Sequence, residues 1–166
     1  AAVQEAIDGR CSLTCKLRIG IREDRPVAHT LVPLFSSHGV AAVTVHGRTR
    51  QQRYTKVADW SYIDECLGSR PEESSMAVIG NGDIMSPQDY HDRRGRLDAV
   101  MIGRGALIKP WLFREIKENR IIDISSRERL DIVAKYAGYG LEHFGSDQAG
   151  VERTRRFLLE WLSFLH

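Results

Sequence analysis

Ala41-Ala-Val-Thr-Val-His-Gly-Arg48 is the stretch that decides the fold. Its first five residues are small or β-branched and apolar on both alternations, and the run stops at a histidine, a glycine and an arginine. A strand of that kind suits a sheet covered on both faces, which is the habit of parallel sheets, whereas a half-solvated antiparallel strand alternates. Two further runs share the pattern: Met76-Ala-Val-Ile79 breaks off into Gly80-Asn-Gly-Asp83, and Asp98-Ala-Val-Met-Ile102 into Gly103-Arg-Gly105. Polar groups gathered at the ends of consecutive strands mark a site, because a glycine after a strand lets a ligand approach the backbone where a Cβ would block it.

Working outward, Ser12–Arg18 reads as an earlier strand and Pro26–Ser37 as a helix ending at a Gly39 cap. His46–Ala58 reads as a long polar loop. Asp59 caps a helix from Trp60 to about Leu67, and Ser86, with Pro87 in the first helical position, caps another to Arg94. This gives four βα units, the repeat of a TIM (β/α)8 barrel, which needs eight strands and typically about 250 residues. The fold expected is therefore α/β: the C-terminal half of such a barrel over residues 1–123, with the other units upstream in the native protein. From Ile124 strand signals cease. Ser125 with Glu128 opens a long amphipathic helix, Gly145–Gly150 separates it from an apolar helical pattern running to Leu165, and residues 124–166 are read as the start of an all-helical domain.

A net charge of +2, with 42% hydrophobic and 28% charged residues, describes an ordinary globular chain and is too mild to diagnose a dedicated nucleic-acid binder. No apolar stretch reaches the roughly 18 residues of a membrane helix, and no membrane partner is expected. Three cysteines, at 11, 15 and 66, form neither a disulfide framework nor a metal-ligand spacing, so no metal is expected and a reducing compartment, cytoplasmic or nuclear, is.

Lys16 sits near the carboxyl end of the first strand. Alternation puts Thr14 and Arg18 on its side and the cysteines on the other, where they fill core. A lysine there can form a Schiff base, bind phosphate, or donate to a flavin or a carbonyl; it can also be merely solvated. His46 opens a segment to Lys56 that holds four fixed cations and no acid. Its Arg48, Arg50, Arg53 and Lys56 suit backbone phosphates of RNA, and Tyr54 suits a stacked base. Asn81, Gly82, Asp83, Gly103 and Arg104 fall where barrels often hold a phosphate, if these are the last two strands.

Lys16-x-Arg18-x-Gly20, His46-Gly-Arg48, Gly80-Asn-Gly-Asp83 and Gly103-Arg104 with Pro110-Trp111 together resemble the tRNA-dihydrouridine synthases. The Gln52–Lys56 and Ala58–Trp60 segments, with Arg153-Thr-Arg-Arg-Phe-Leu-Leu-Glu-Trp-Leu162, are similar to the eukaryotic subfamily acting on the variable-loop uridine. The resemblance implies an FMN enzyme on a TIM barrel with a helical tRNA-binding domain. Lys16 and His46 would contact the isoalloxazine ring, and Asn81, Gly82, Asp83, Gly103 and Arg104 the ribityl phosphate. NAD(P)H would reduce the flavin, which would pass hydride to C6 of an extruded uracil. In the family a cysteine on a loop upstream of the lysine strand supplies the proton at C5. That loop is missing here, so no catalytic residue is expected in this chain, and the isolated chain is expected neither to hold FMN tightly nor to turn over. Two rival readings remain: an FMN barrel oxidoreductase acting on a small pyrimidine-like substrate, and an inactive RNA- or partner-binding fragment.

Overall fold

The computed structural model describes residues 2–163. Phe164 and Leu165, the end of the apolar helical pattern, and Ala1, placed by the sequence in a helix tail, lie outside the described residues. The chain divides into two compact units, Ala1–Gly103 and Arg104–His166.

The first unit runs α1 (Ala2–Ile7), β1 (Thr14–Arg18), α2 (Ala28–Ser37), β2 (Ala42–His46), α3 (Trp60–Gly68), β3 (Ala77–Asn81), α4 (Pro87–Arg94) and β4 (Ala99–Met101). Its four strands form one parallel sheet in the order β1-β2-β3-β4. Val43, Val45 and Val78 on one sheet face join Ala28 and Val32 of α2 and Ile63, Cys66 and Leu67 of α3 in a single buried cluster. Each such fully buried aliphatic side chain contributes about 1.5–3 kcal/mol. Cys15 and Leu17 of β1 pack against that cluster, which leaves Thr14, Lys16 and Arg18 on the opposite face.

Local chemistry sets the helix starts. The Asp59 side chain accepts from Tyr62 N at the head of α3, and Ser86 from Asp89 N at the head of α4, where Pro87 follows. The expected start of α2 at Pro26 moves to Ala28, because residues 20–28 are engaged elsewhere: Gly20 and Pro26 form an isolated bridge, and Val27 and Ala28 both donate to Ile19 O. At its other end Gly39 adopts φ +71°, the left-handed stop that glycine supplies. β3 extends beyond the expected Ile79 to Asn81. Gly80 makes this possible, since a Cβ there would lie 2.6 Å from the Trp60 ring and 2.8 Å from Leu97.

The second unit holds α5 (Arg104–Ile108), α6 (Leu112–Glu118), α7 (Ser126–Phe144) and α8 (Gln148–Leu162). Ser125 and Glu128 form a complete capping box at the head of α7. α8 begins earlier than its apolar pattern suggests, because Asp147 accepts from Gly150 N. Gly150 fits that first turn only as glycine, a Cβ there falling 1.9 Å from Gly145 O. Gly140 of α7 similarly admits Thr154 of α8, whose Cγ2 lies 2.4 Å from the place of a Cβ. Among the described residues no helix is long and apolar enough to cross a membrane, and no cluster of His, Cys, Asp and Glu could hold a metal ion.

Candidate functional site

Parallel register assembles the site. Lys16 pairs with Thr44 and Thr44 with Ile79; one step further along, Arg18 pairs with His46, His46 with Asn81 and Asn81 with Met101. Partners in register project to the same face. Arg18, His46 and Asn81 therefore form a row at the carboxyl edge of the sheet, with Lys16 one pleat behind on the same face. Lys16 Nζ reaches across to donate to Asn81 Oδ1 at 3.1 Å, while Asn81 Nδ2 donates to Met101 O at 2.7 Å. The asparagine thus spans β1 and β4 from β3, with oxygen toward the ammonium and nitrogen toward a carbonyl. Lys16 has its pKa lowered, first by burial and then by Arg18.

His46 is buried, and Arg48 Nη1 stands 3.2 Å from its Nε2. A guanidinium only donates, so Nε2 accepts and this bond assigns the ring proton to Nδ1. Burial first, then the positive charges of Arg18, Lys16 and Arg48, depress the imidazole pKa to about 4; Asp83 opposes them without prevailing. His46 is neutral at pH 7.

Arg48 was expected on the RNA-facing surface, but it is only 3% exposed and its guanidinium is occupied inside the protein. Nε donates to Lys56 O at 2.5 Å, and Nη2 donates to both oxygens of Asp83 at 2.7 and 2.6 Å. Asp83 also accepts from Ala58 N at 2.9 Å. The carboxylate expected at a phosphate therefore faces the arginine behind the strand ends. Trp60 Nε1 donates to Gly82 O at 3.1 Å, and Gly47 N to Asn81 O at 3.1 Å. Arg93 adds a bond to Asp83 O and places its guanidinium over the Trp60 ring. Gly82 is glycine for reasons of packing: its φ is +133°, and a Cβ would lie 2.5 Å from that of Ala58 and 3.3 Å from His46 Cδ2. Gly103, two residues beyond β4, is the contrary case, with nothing within 4 Å of where a Cβ would stand. Arg104 is the first residue of α5 and belongs to the second unit.

The other expected RNA residues, Arg50, Arg53, Tyr54 and Lys56, are exposed on the segment between β2 and α3. Tyr54 stands 5.7 Å, centroid to guanidinium, from both Arg18 and Arg48, and its ring is 6.2 Å from that of His46. Thr49 and Gln52 fasten this segment by reciprocal bonds, Thr49 N to Gln52 Oε1 and Gln52 N to Thr49 Oγ1. Nothing in the sequence singled out that pair, or Trp60 as a ligand of the Gly82 carbonyl; such roles appear only once the strands are in register. None of the three thiols joins the Lys16, His46 and Asn81 group. Cys15 packs toward the helices as expected, and Cys66 is buried with its thiol pushed up to about 12. Cys11, expected to fill core, is instead exposed, because β1 starts three residues after it.

The sequence matches the profile of the family described as Dihydrouridine synthase (Dus) over residues 1–163. It is 57% identical over 154 residues to a human protein named tRNA-dihydrouridine(47) synthase (NAD(P)(+))-like, a match covering 92% of this chain and 23% of that protein. To the tRNA-dihydrouridine(47) synthase (NAD(P)(+)) of Coprinopsis cinerea it is 53% identical over 165 residues, or 94% of this chain and 24% of that one. The protein of the same name from Neurospora crassa is 43% identical over 195 residues. The chain spans about a quarter of the length of the curated relatives it matches. A profile match over nearly every residue, and relatives at these identities, give one conclusion: the chain belongs to the dihydrouridine synthase family.

Proposed function

We propose that this chain supplies the phosphate-side half of the flavin site in an FMN-dependent enzyme that reduces a uridine of tRNA to 5,6-dihydrouridine at the expense of NAD(P)H. Residues 1–123 are the C-terminal half of its TIM barrel, and residues 124–166 open a helical tRNA-binding domain. The observation that carries the reading is the cluster of Lys16, Arg18, His46 and Asn81 on one sheet face, held by the 3.1 Å bond from Lys16 to Asn81.

The donor set fits an electron-rich ligand. Lys16 and Arg18 are cations, His46 is neutral with its proton on the nitrogen turned from Arg48, and the nearest carboxylate, Asp83, is neutralised by Arg48. The open flank of Gly103 admits close approach of a phosphate oxygen to the backbone, and Arg104 follows it in sequence. When bound, FMN supplies the hydride that uridine C6 receives. Lys16 and His46 orient the ring by hydrogen bonds to its heteroatoms, Lys16 keeping a positive charge near the edge where negative charge gathers. Asn81 and Gly103 hold the phosphate; Gly82 and Asp83 act from behind by fixing the turn. Arg50, Arg53, Tyr54 and Lys56 face the tRNA. The resemblance implies that a cysteine outside these 166 residues supplies the proton for C5, and Cys15 and Cys66, directed into the core, do not take its place.

A chimera tests this reading. The chain replaces the matching 154-residue segment of the human relative, and the purified protein is measured for flavin absorbance and for dihydrouridine in tRNA. Near-stoichiometric flavin and product are expected, with loss of both on Lys16→Ala or Asn81→Ala. A folded chimera without flavin overturns the assignment, and flavin without tRNA product overturns the substrate.

A further inference from the structure

The segments that follow β1 and β2 are laced together. Arg50 N donates to Gly20 O at 2.9 Å and Gln51 N to Ile21 O at 3.1 Å. Between them lies a cleft of about 460 Å³ lined by Ile21, Arg22, Arg50, Gln51 and Arg53. Arg22 comes from a part of the sequence that no motif marked, and the lacing brings it beside two arginines about thirty residues later in the chain. Asp24 holds it by a paired contact, Nε to Oδ1 and Nη2 to Oδ2, both at 3.0 Å. That contact is solvent-exposed and therefore weak. It orients the guanidinium and leaves Nη1 free of Asp24. Arg50 and Arg53 have no carboxylate within ion-pair distance among the described residues. Arg53 also adopts φ +49°, a left-handed backbone that a non-glycine residue holds at some cost.

We propose that this cleft is a phosphodiester-binding subsite for the tRNA strand, formed by Arg22, Arg50 and Arg53 together. Three guanidiniums around one hollow give several N–H donors in planar forks, the geometry that matches phosphate oxygens. Ile21, 69% exposed, offers an apolar surface for the sugar, and Gln51 offers an amide for the 2′-hydroxyl that distinguishes RNA. A hollow lined by cations and lacking an aromatic platform selects backbone over base. Arg22 thereby becomes a tRNA-binding residue, and the subsite extends the RNA surface beyond the segment after β2. This inference rests on the tRNA reading above.

The test is equilibrium binding of unmodified tRNA to the full chain across a salt series. Arg22→Ala and Arg53→Gly are compared with Arg96→Ala, an exposed arginine that precedes β4 and so lies at the other end of the strands. Arg53→Gly removes the charge while relaxing the left-handed backbone, so misfolding cannot explain its effect. Each cleft variant is expected to weaken binding about tenfold, the scale of one charge-assisted hydrogen bond, and to lower the salt slope by about one. Arg96→Ala is expected to change neither. Wild-type affinity and slope in both cleft variants, or losses no larger than that of Arg96→Ala, overturn the subsite while leaving the tRNA reading intact. Failure of the wild-type chain to bind tRNA at any salt overturns the tRNA reading itself.

Discussion

Removing the carboxylate of Asp83 leaves the most buried cation of the sheet unit without its counter-charge, and the cost can be worked from the contacts. Arg48 is 3% exposed and Asp83 18%. Asp83→Ala deletes both Nη2 contacts, at 2.7 and 2.6 Å, and the acceptor for Ala58 N at 2.9 Å. Breaking a buried ion pair by removing one partner costs about 3–5 kcal/mol, and the partial exposure of Asp83 places this case at the lower end. The orphaned Ala58 amide adds about 1 kcal/mol. The sum, about 4 kcal/mol, is a large share of the 5–15 kcal/mol of a typical domain. Asp83→Asn keeps an oxygen for Ala58 N and one bond to Arg48, and should lose about half as much.

Urea unfolding followed by circular dichroism reads these costs as a shift in midpoint at constant slope. Arg48→Met removes the cation and leaves a carboxylate that water can reach, so it should cost less than Asp83→Ala. The double variant should be more stable than the sum of the single losses predicts, by about 2 kcal/mol, because neither charge is then left alone in the interior. An Asp83→Ala loss under 1 kcal/mol, or a double-variant cycle that closes at zero, refutes the view that this pair holds the turn.

His46 carries the pH dependence. Its folded pKa, about 4, lies below the unfolded 6.5, so the unfolded chain takes up the proton first; stability is full above pH 6.5 and falls as pH drops toward 4, by about 3 kcal/mol in all. Unfolding midpoints from pH 7 to pH 4 measure it, and His46→Gln should flatten the profile; an unflattened profile assigns the loss to other groups. The glycines divide by cause: Gly82→Ala, 2.5 Å from the Ala58 Cβ and at φ +133°, should destabilise by about 1–3 kcal/mol, whereas Gly103→Ala should leave the thermal midpoint unmoved and weaken flavin retention in the chimera. A stable Gly82→Ala protein would show that the turn gives way freely.

What was legible in the sequence was local. Asp59, Ser86 and the Ser125–Glu128 box cap helices through bonds only three residues long, and alternation alone put Cys15 behind β1 and Lys16 in front. What was not legible depends on partners remote in sequence. β3 runs on to Asn81 because β2 pairs with it as far as His46, and α2 starts late because Ile19 O engages the amides of Val27 and Ala28. Arg48 looks like any other cation of its segment until Asp83, 35 residues on, is folded against it. The place of Arg22 is hidden in the same way, since only the lacing of two segments makes it a neighbour of Arg50 and Arg53.

The four cations of the His46–Lys56 segment therefore divide by burial into two kinds of work. Arg48 is turned inward, where it supports the strand ends; burial first, then Arg18 and Lys16, and Arg48 after them, keep His46 unprotonated. Without its burial and its cationic neighbours His46 would titrate near 6.5 and add a charge close to neutral pH. Instead its neutrality follows from the same contacts that position it, so the site can present a fixed pattern of donors while Arg50, Arg53 and Lys56 remain at the surface for a polyanion. On the function proposed above, a flavin and a tRNA strand place different demands on one short segment, and the buried Arg48–Asp83 pair keeps one of its four cations out of the surface set.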